Sequence, residues 1–473
     1  MTKGIKRREF IQAATCSTAI ALVPAPVLAA APAALPVARL QGPIPTGPDD
    51  QPYRGANEQP VAGPGLPIPD LIPYGYIEEE YFVSGEVGGQ PYITSMLVRK
   101  PKDPRKFSGL VAVETIHAQG AIPMWGQKKT WMAGGHGWVG VASQLIAFQQ
   151  FVVKSNPKRY ASLVMPTAST APQQQGTMQM ASGPQDKISQ DIMTQVGRLL
   201  KANLRNGPFR GMRVTKLAMG GASQTGGTTL RYIEQSHTSA KLANGKSIYD
   251  AYLPMMAFTA TPLPAIDAVV VHPCTEGDLM NNLLSKRTIG YKADSDGPDR
   301  YRHYQITGMS HVGTRGVTDP LQVFSTLANG FKPGEHLSQF PAAELMRPIA
   351  QNFVDWLMNG TPPPKAPLIE VANGEIVRDA LGNAKGGVRS PWVDVATVRY
   401  IAAAPTGPGD NPFRRLIGLE EPFPTDKLRQ LYGTKASYLR KFDQEIDRMV
   451  QGRWLVLDEA LKLKADEARL TNF

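Results

Sequence analysis

With 473 residues, of which 42% are hydrophobic, the chain is long enough to bury an extensive core, and length alone would allow two or three domains. The formal net charge is +11. Because no run of lysine and arginine is interleaved with aromatic residues, the charge indicates a solvated basic surface and argues against nucleic-acid binding.

The first 33 residues predict an export signal that is removed from the mature protein. Arg7 and Arg8 lie in a basic stretch that resembles a twin-arginine signal, and a small, apolar stretch follows at residues 13 to 31. We therefore expect recognition by the twin-arginine export machinery, a periplasmic or secreted mature protein and no membrane span. Cys274 would then be the one cysteine left, which excludes an internal disulfide.

The rest of the chain predicts a linker followed by one large α/β domain. Residues 34 to 74 are rich in proline and glycine and lack periodicity, as in a linker that wraps the surface. From residue 75 to 473, apolar strands alternate with helices, which predicts a mostly parallel sheet. The predicted strands are residues 77–83, 91–99, 109–116, 137–143, 214–220, 252–258, 267–273 and 301–307, and the main predicted helices are residues 186–204 and 340–358.

A short apolar strand, a glycine-rich turn around Ser223 and a helix-compatible segment follow one another between residues 213 and 236. This order is typical of a nucleophile elbow, in which a sharp turn exposes the serine hydroxyl above the sheet edge. Thr225 stands where the G-x-S-x-G pattern has its second glycine. A phosphate-binding loop is disfavoured, because Gly227 occupies the position of the required lysine.

Candidates for the acid and the base follow Ser223 in the chain order that such a hydrolase requires. An apolar strand ends just before Glu276 and Asp278, and a later strand ends just before the loop that holds His311. Spacing leaves both carboxylates open as the acid. Gly277 lets the chain turn after Glu276, which would leave Asp278 as the N-cap of the next helix.

An oxyanion formed during acyl transfer needs two hydrogen-bond donors. One is the backbone amide of Gln224, directly after the serine, and the other should lie in the loop after the third strand. We assign the second donor to the amide of Gln119. His117, in the same loop, fits a pocket-lining role and an ordinary loop role equally well.

From about residue 75 to the C-terminus, the chain resembles the secreted bacterial "alpha/beta hydrolase domain" proteins of the α/β-hydrolase superfamily. The resemblance rests on the G-x-S-Q-[ST]-G elbow at Gly221 and on the G-x-x-H motif that ends at His311. It extends to residues 137–144, 157–160, 191–192 and 379–391. In that family the acid is a glutamate in an S-E-T-[ED] stretch, which corresponds here to Glu276. The resemblance thus implies Ser223 as nucleophile, Glu276 as acid and His311 as base.

The resemblance also implies the α/β-hydrolase fold, with a mostly parallel central sheet flanked by helices, lid insertions and a C-terminal extension. Residues 145 to 184 are too long for a simple connection and would form the lid or a pocket wall, and residues 360 to 473 would form the extension. The expected activity is hydrolysis of a small-molecule carboxylic ester or lactone through an acyl-enzyme. No cofactor is implied, and the oligomeric state is left open.

Two other functions remain open at this point. His272, Cys274, Glu276 and Asp278 alternate along the chain, so an extended backbone would place four possible metal ligands on one face, as in a metal-dependent hydrolase. A non-catalytic ligand-binding protein could also use the same fold. Pro273 and Gly277 disfavour continued extension and therefore the metal site.

Replacing both Arg7 and Arg8 by lysine should hold the protein in the cytoplasm without unfolding it, because twin-arginine recognition depends on the paired guanidinium groups. Cell fractionation followed by immunoblotting measures the distribution. A double mutant found in the periplasm at wild-type levels would remove the predicted route of export.

Overall fold

The computed structural model describes residues 37–56, 70–168, 184–315 and 334–469, and a nine-stranded sheet lies at its centre. Its strands are β1 (Arg39–Gln41), β2 (Tyr76–Val87), β3 (Gln90–Pro101), β4 (Leu110–Thr115), β5 (Gly137–Val141), β6 (Lys216–Ala222), β7 (Ala251–Met255), β8 (Val269–Thr275) and β9 (Tyr301–Ile306). Their spatial order is β1-β2-β3-β5-β4-β6-β7-β8-β9. The mostly parallel sheet is therefore the one that the alternating pattern predicts.

Six neighbouring strands, from β5 to β9 in the spatial order, run parallel, and β1, β2 and β3 add an antiparallel edge. In β4 all residues are buried, which is typical of a parallel strand that is covered on both faces. Val111 of β4 lies beside Gly137 of β5 on one side and Leu217 of β6 on the other. All carboxyl ends of the parallel strands thus lie at one edge.

Helices occupy most of the connections between these strands. They are α1 (Lys128–Ala133), α2 (Leu145–Ala147), α3 (Val153–Ser155), α4 (Pro184–Lys201), α5 (Gln224–Gln235), α6 (Glu276–Leu284), α7 (Ala342–Asn359), α8 (Pro391–Asp394), α9 (Thr425–Tyr432), α10 (Lys435–Gln451) and α11 (Leu457–Ala468). Helix α5 packs against β6 and β7, and α7 packs against β7 and β8. None of the helices in the described ranges combines the length and the apolarity that a bilayer span requires.

The predicted linker takes part in the fold where the structure describes it. Arg39–Gln41 forms the antiparallel edge strand β1 on β2. The amide of Tyr53 donates a hydrogen bond to the hydroxyl of Tyr160 at 2.7 Å, and the hydroxyl of Tyr53 donates to the carbonyl of Gly120 at 2.8 Å. The amino-acid composition of the segment could not predict these contacts, because the partner residues lie far along the chain. Residues 57 to 69 lie outside the described part.

The predicted lid is helical in its first part: α2, a π-helical turn at Phe148–Val152 and α3 follow one another directly. Residues 169 to 183 of that segment lie outside the described residues. A lid role for residues 145 to 184 therefore remains a prediction.

The C-terminal extension carries the short strands β11 (Val371–Ala372), β12 (Glu375–Ile376), β13 (Val398–Ile401) and β14 (Leu419–Pro422), and β10 (His336–Leu337), which precedes the extension, pairs with β14. The extension also covers the free edge of β9. The amide of Val388 donates to the carbonyl of Gln305 at 2.7 Å, and the amide of Thr307 donates to the carbonyl of Val388 at 3.1 Å. An isolated edge strand would expose unpaired backbone groups, so this contact protects the strand that leads to His311.

Gly226 and Gly227 lie in the first turn of α5 but have different surroundings. A Cβ atom on Gly226 would clash with the backbone carbonyl of Met255, at the end of β7. A Cβ atom on Gly227 would meet the mobile end of the Arg231 side chain at 3.2 Å. The glycine at position 226 therefore permits close contact between helix and strand, whereas the one at 227 has no such steric role.

Gly226→Ala should lower the free energy of unfolding by about 1–3 kcal/mol, because the added methyl group forces α5 away from β7. Gly227→Ala is the matched control: alanine is the better helix former, so this variant should be unchanged or more stable by up to ~1 kcal/mol. Thermal or urea unfolding measures both. Equal destabilisation of the two variants would contradict the proposed role of close packing at Gly226.

Candidate active site

Ser223 lies in a sharp turn between the end of β6 and the start of α5. Its backbone has φ 57° and ψ −120°, a strained conformation for a residue with a side chain. The surrounding fold holds this conformation, since the amide of Ser223 donates to the carbonyl of Met255 at 3.0 Å. Ser223 is partly exposed between the buried Ala222 and Gln224. The strand, turn and helix predicted around Ser223 are thus confirmed.

Thr225 has a structural function in this turn. Its hydroxyl accepts a hydrogen bond from the amide of Ala222 and donates one to the carbonyl of the same residue, both at 3.0 Å. A Cβ atom on Gly221 would lie 2.5 Å from that hydroxyl, so the glycine is required for the threonine to fit. Threonine at this position closes the turn, in place of the second glycine.

His311 is hydrogen-bonded to Asp278, with 2.5 Å between Nδ1 of the histidine and Oδ1 of the carboxylate. Both side chains are largely buried. Oδ2 of Asp278 accepts hydrogen bonds from the amide and the hydroxyl of Thr275 at 3.0 and 2.8 Å. The carboxylate is therefore fixed by three donors and holds the imidazole in one orientation.

Electrostatics strengthen this pair. Burial raises the pKa of Asp278, but His311 and the Thr275 donors outweigh it, so the pKa of this carboxyl is below its ordinary value. Burial likewise disfavours the imidazolium, yet the charge and hydrogen bond of Asp278 raise the pKa of His311 above its ordinary value. His311 is thereby made a better proton acceptor than an ordinary buried histidine.

Glu276 does not contact His311, and the predicted pairing of these two residues is wrong. Its Oε2 atom accepts from the amide of Gly308 at 2.8 Å, and its Oε1 atom accepts from Nη1 of Arg378 at 3.1 Å. Burial raises the pKa of this carboxyl above its ordinary value, although the charge of Arg378 acts to lower it. Glu276 connects the first turn of α6 to the loop after β9 and to the C-terminal extension.

The error lies in where α6 begins. Thr275 is its N-cap and Asp278 is its third residue, and the two form a reciprocal capping box. Asp278 is therefore one turn into the helix, on the side that faces His311. Gly277 allows that approach, because a Cβ atom there would lie 2.5 Å from the carbonyl of Ala402 and 3.1 Å from the amide of His311. The T-x-x-D spacing was the signal in the sequence that could have identified this geometry.

The loop after β4 lies beside the elbow. The amide of Ala118 donates to the side-chain oxygen of Gln224 at 3.2 Å, and Gln144 donates to the same oxygen at 3.1 Å. Burial, together with the charge of nearby His311, lowers the pKa of His117 to about 4. His117 is accordingly a neutral neighbour of the candidate base.

The assignment of Gln119 as the second oxyanion donor needs correction. Its amide donates to Nδ1 of His117 at 3.0 Å, so this N–H group is engaged within its own loop. Gln224 differs, because as the first residue of α5 it has an amide without an acceptor in the helix. Of the two predicted donors, the Gln224 amide retains the expected geometry.

Glu114 fixes the start of this loop from inside the sheet. This fully buried carboxylate of β4 accepts from the amides of Met124 and Trp125 at 2.9 and 2.8 Å and from the indole of Trp138 at 2.8 Å. Arg99 lies over the rings of both tryptophans. The sequence pattern gave no sign of this cluster, because its members come from four separate segments.

The four alternating residues of the metal alternative do not form a cluster. Asp278 contacts His311, and Glu276 contacts Arg378. His272 and Cys274 instead lie beside His303 of β9. The extended conformation ends where α6 begins, at Glu276, so the four residues do not lie on one face. The hypothesis of a metal-dependent hydrolase with those four ligands is therefore wrong.

Ser223, Asp278 and His311 follow the carboxyl ends of β6, β8 and β9 at the same edge of the sheet, but their contacts differ. His311 and Asp278 are joined directly. In the described part of the chain, the hydroxyl of Ser223 has no hydrogen bond to His311. Catalytic hydrogen bonds often form fully when substrate binds, so the geometry is that of a resting site.

The match to a protein-family model agrees with this architecture. A family model described as "Alpha/beta hydrolase domain" matches residues 40–465. The comparison with curated proteins gave no match. Among solved structures, esterase Est22 has 12% sequence identity and a TM-score of 0.26, and the alignment covers 44% of this chain and 66% of that chain, just under two thirds of its length.

Two further solved structures show the same level of similarity. A promiscuous CE15 esterase from a marine bacterial metagenome has 9% identity and a TM-score of 0.25, with 51% of this chain and 68% of that chain covered. A cold-adapted esterase from an Arctic intertidal metagenomic library has 10% identity and a TM-score of 0.24, with 42% and 71% covered. The family match, which spans most of the chain, carries the assignment: this chain belongs to the alpha/beta hydrolase domain family.

Proposed function

We propose that this protein is a serine hydrolase in which Ser223, His311 and Asp278 form the catalytic triad. The observation that carries the proposal is the buried hydrogen bond between His311, in the loop after β9, and Asp278, in the first turn of α6, at the sheet edge where the strained turn presents Ser223. A histidine oriented by a carboxylate beside an exposed serine is the arrangement that activates a hydroxyl for nucleophilic attack.

In the proposed reaction, Oγ of Ser223 attacks the carbonyl carbon of the substrate while Nε2 of His311 takes the hydroxyl proton. Asp278 keeps the other ring proton on Nδ1 and stabilises the imidazolium that forms. The tetrahedral intermediate then collapses, the bond to the leaving alcohol breaks, and His311 returns the proton to that alcohol. A water molecule, deprotonated by His311, cleaves the acyl-enzyme and restores the serine.

The negative oxygen of each tetrahedral intermediate would lie at the amino end of α5. There the amide of Gln224 points away from the helix, and the helix dipole favours negative charge. The Gln224 side chain, held by Gln144 and Ala118, keeps this end of the helix in contact with the β4 loop. The electrostatic stabilisation is thus built from the same turn that exposes the nucleophile.

We infer that the substrate is a small-molecule carboxylic ester or lactone, which is the chemistry that an acyl-enzyme mechanism without a cofactor serves. Export through the twin-arginine machinery, proposed from Arg7 and Arg8, would place the reaction in the periplasm or outside the cell. Both proposals follow from the residues, and neither depends on the low-identity structural neighbours.

Hydrolysis of p-nitrophenyl esters of different acyl lengths by the purified mature protein tests the reaction class directly. Release of p-nitrophenol that a serine-directed phosphonate abolishes supports the proposal. Release that resists the phosphonate and is lost with a chelator would replace it with metal-dependent hydrolysis.

Asp278→Asn should lower kcat by ~10³–10⁴, because the amide favours the wrong tautomer of His311, and Ser223→Ala should leave trace activity. Steady-state kinetics on the best ester of the panel measures both variants. Glu276→Gln is the matched control, since it removes a carboxylate two residues away. That control should keep kcat within about tenfold while losing about 1–3 kcal/mol of stability through Arg378.

An inactive Glu276→Gln beside an active Asp278→Asn would return the acid role to Glu276. Melting temperatures of all three variants separate a catalytic defect from a folding defect. If the activity of Asp278→Asn and Ser223→Ala falls only in proportion to the fraction of folded protein, the proposed catalytic roles of these residues are contradicted.

The pH dependence should report on the Asp278 and His311 pair. Because Asp278 raises the pKa of His311, and because the base must be neutral, kcat/KM should rise with pH through a midpoint above the ordinary histidine value of about 6.5. In Asp278→Asn the residual activity should rise through a lower midpoint. A rate that is constant from about pH 5 to about pH 8 would contradict histidine as the base.

A further inference from the structure

His272, Cys274 and His303 form a buried cluster of metal-ligating groups that the proposed hydrolase does not use. The two histidines are partners in the parallel register of β8 and β9, and Cys274 lies two residues further along β8. One ligand atom from each residue lies within 4.8 Å of those of the other two. We propose that this cluster is a binding site for a thiophilic divalent transition-metal ion such as Zn²⁺, which ties the ends of β8 and β9 together.

His303 supplies the observation that points to a ligand. The residue is 4% exposed, and neither of its ring nitrogens makes a hydrogen bond of good geometry within the described part of the chain, although one approaches the backbone of His272. The rings of Phe258 and Tyr291 enclose it, each with its centroid 5.9 Å away. Buried polar groups are almost always hydrogen-bonded, so an imidazole without a good partner indicates a missing interaction.

The separation of two ligand atoms in the cluster matches the spacing found around a bound metal ion. Sγ of Cys274 and Nε2 of His272 are 3.5 Å apart. Bonds of ~2.3 Å to sulfur and ~2.0–2.1 Å to nitrogen in a tetrahedral zinc site place two such ligands roughly 3.5 Å apart. The carbonyl of Ala257 lies 3.1 Å from Sγ and 2.6 Å from Nε2, so it is positioned as a fourth ligand after a small displacement.

A second shell for the ion is also present. Nδ1 of His272 is 3.0 Å from the hydroxyl of Tyr301, so a proton on Nδ1 can be donated to that oxygen while the lone pair of Nε2 binds the metal in place of the present hydrogen bond to the carbonyl of Ala257. Cys274 is a buried thiol, and its proton would pass to solvent as the sulfur–metal bond forms. Two nitrogens and a thiolate suit zinc, cobalt and copper, and they exclude calcium and magnesium, which require oxygen ligands.

The site has a structural consequence for the hydrolase. Asp278, in the first turn of α6, comes four residues after Cys274, and β9 continues from His303 into the loop that holds His311. An ion bound between β8 and β9 would therefore fix the start of α6, which carries the proposed acid, and the loop that carries the proposed base. We assign it a structural role, because the triad itself takes no ligand from the cluster.

Cobalt titration of the full chain in the Ser223→Ala background tests the site independently of the hydrolase reaction. Protein treated with a chelator and then given Co²⁺ should develop a thiolate-to-cobalt charge-transfer band that saturates at one ion per chain. Zn²⁺ should abolish the band by displacement and raise the melting temperature in a concentration-dependent manner. A chain that shows neither the band nor the thermal shift would overturn the proposal, whatever its esterase activity.

Three variants locate the ion. Cys274→Ser should abolish the charge-transfer band, and His303→Phe, which suits the aromatic surroundings, should weaken cobalt binding at least ~10-fold. His237→Gln is the control, because this buried histidine is bound to Asp267 and Tyr252, away from the cluster, and should leave the titration unchanged. Near-ultraviolet circular dichroism verifies folding. Cobalt binding that survives in both cluster variants, or falls equally in the control, would place the ion elsewhere and refute the site.

Discussion

The parallel alignment of β4, β6, β8 and β9 is the constraint on which the rest of the site depends. Parallel strands end at the same edge, so residues that are far apart in the chain meet there without any long-range signal in the sequence. Ser223, Asp278 and His311, the proposed nucleophile, acid and base, each follow one of these strands. Backbone bonds between neighbouring ends, such as Met256 to Pro273 at 2.8 Å, hold the turns in register.

Much of this arrangement could be predicted because local sequence determines it. The strand, glycine turn and helix around Ser223 form a self-contained motif, and the alternation of apolar strands with helices specifies the sheet. The order of serine, carboxylate and histidine along the chain then follows from topology. The contacts of Tyr53 and Glu114 could not be predicted, because their partners are segments whose positions only the complete fold determines.

The choice between Glu276 and Asp278 shows where local reasoning fails. The sequence predicted Asp278 as the N-cap of the helix, whereas the observed N-cap is Thr275, three residues earlier. Because successive residues of a helix differ in direction by about 100°, the start of the helix decides which side chain faces His311. Gly277 was interpreted as a turn residue, whereas in the structure it is the point at which the loop of His311 comes closest to α6. The capping box of Thr275 and Asp278 decides the matter, since it begins the helix at Glu276.

The seven histidines of the chain all lie in the described ranges, and comparison of two of them shows why His311 is suited to accept a proton. His237 is also bound to a carboxylate, yet burial of the imidazole and the charge of Lys241 outweigh that partner and lower the pKa of His237. Its partner, Asp267, has a side chain that is 63% exposed, so water screens the charge. The side chain of Asp278 is 7% exposed, and its charge acts across a poorly hydrated contact strongly enough to raise the pKa of His311. The burial of Asp278, and the lysine that accompanies Asp267, thus distinguish the candidate base from the other acid-bound histidine.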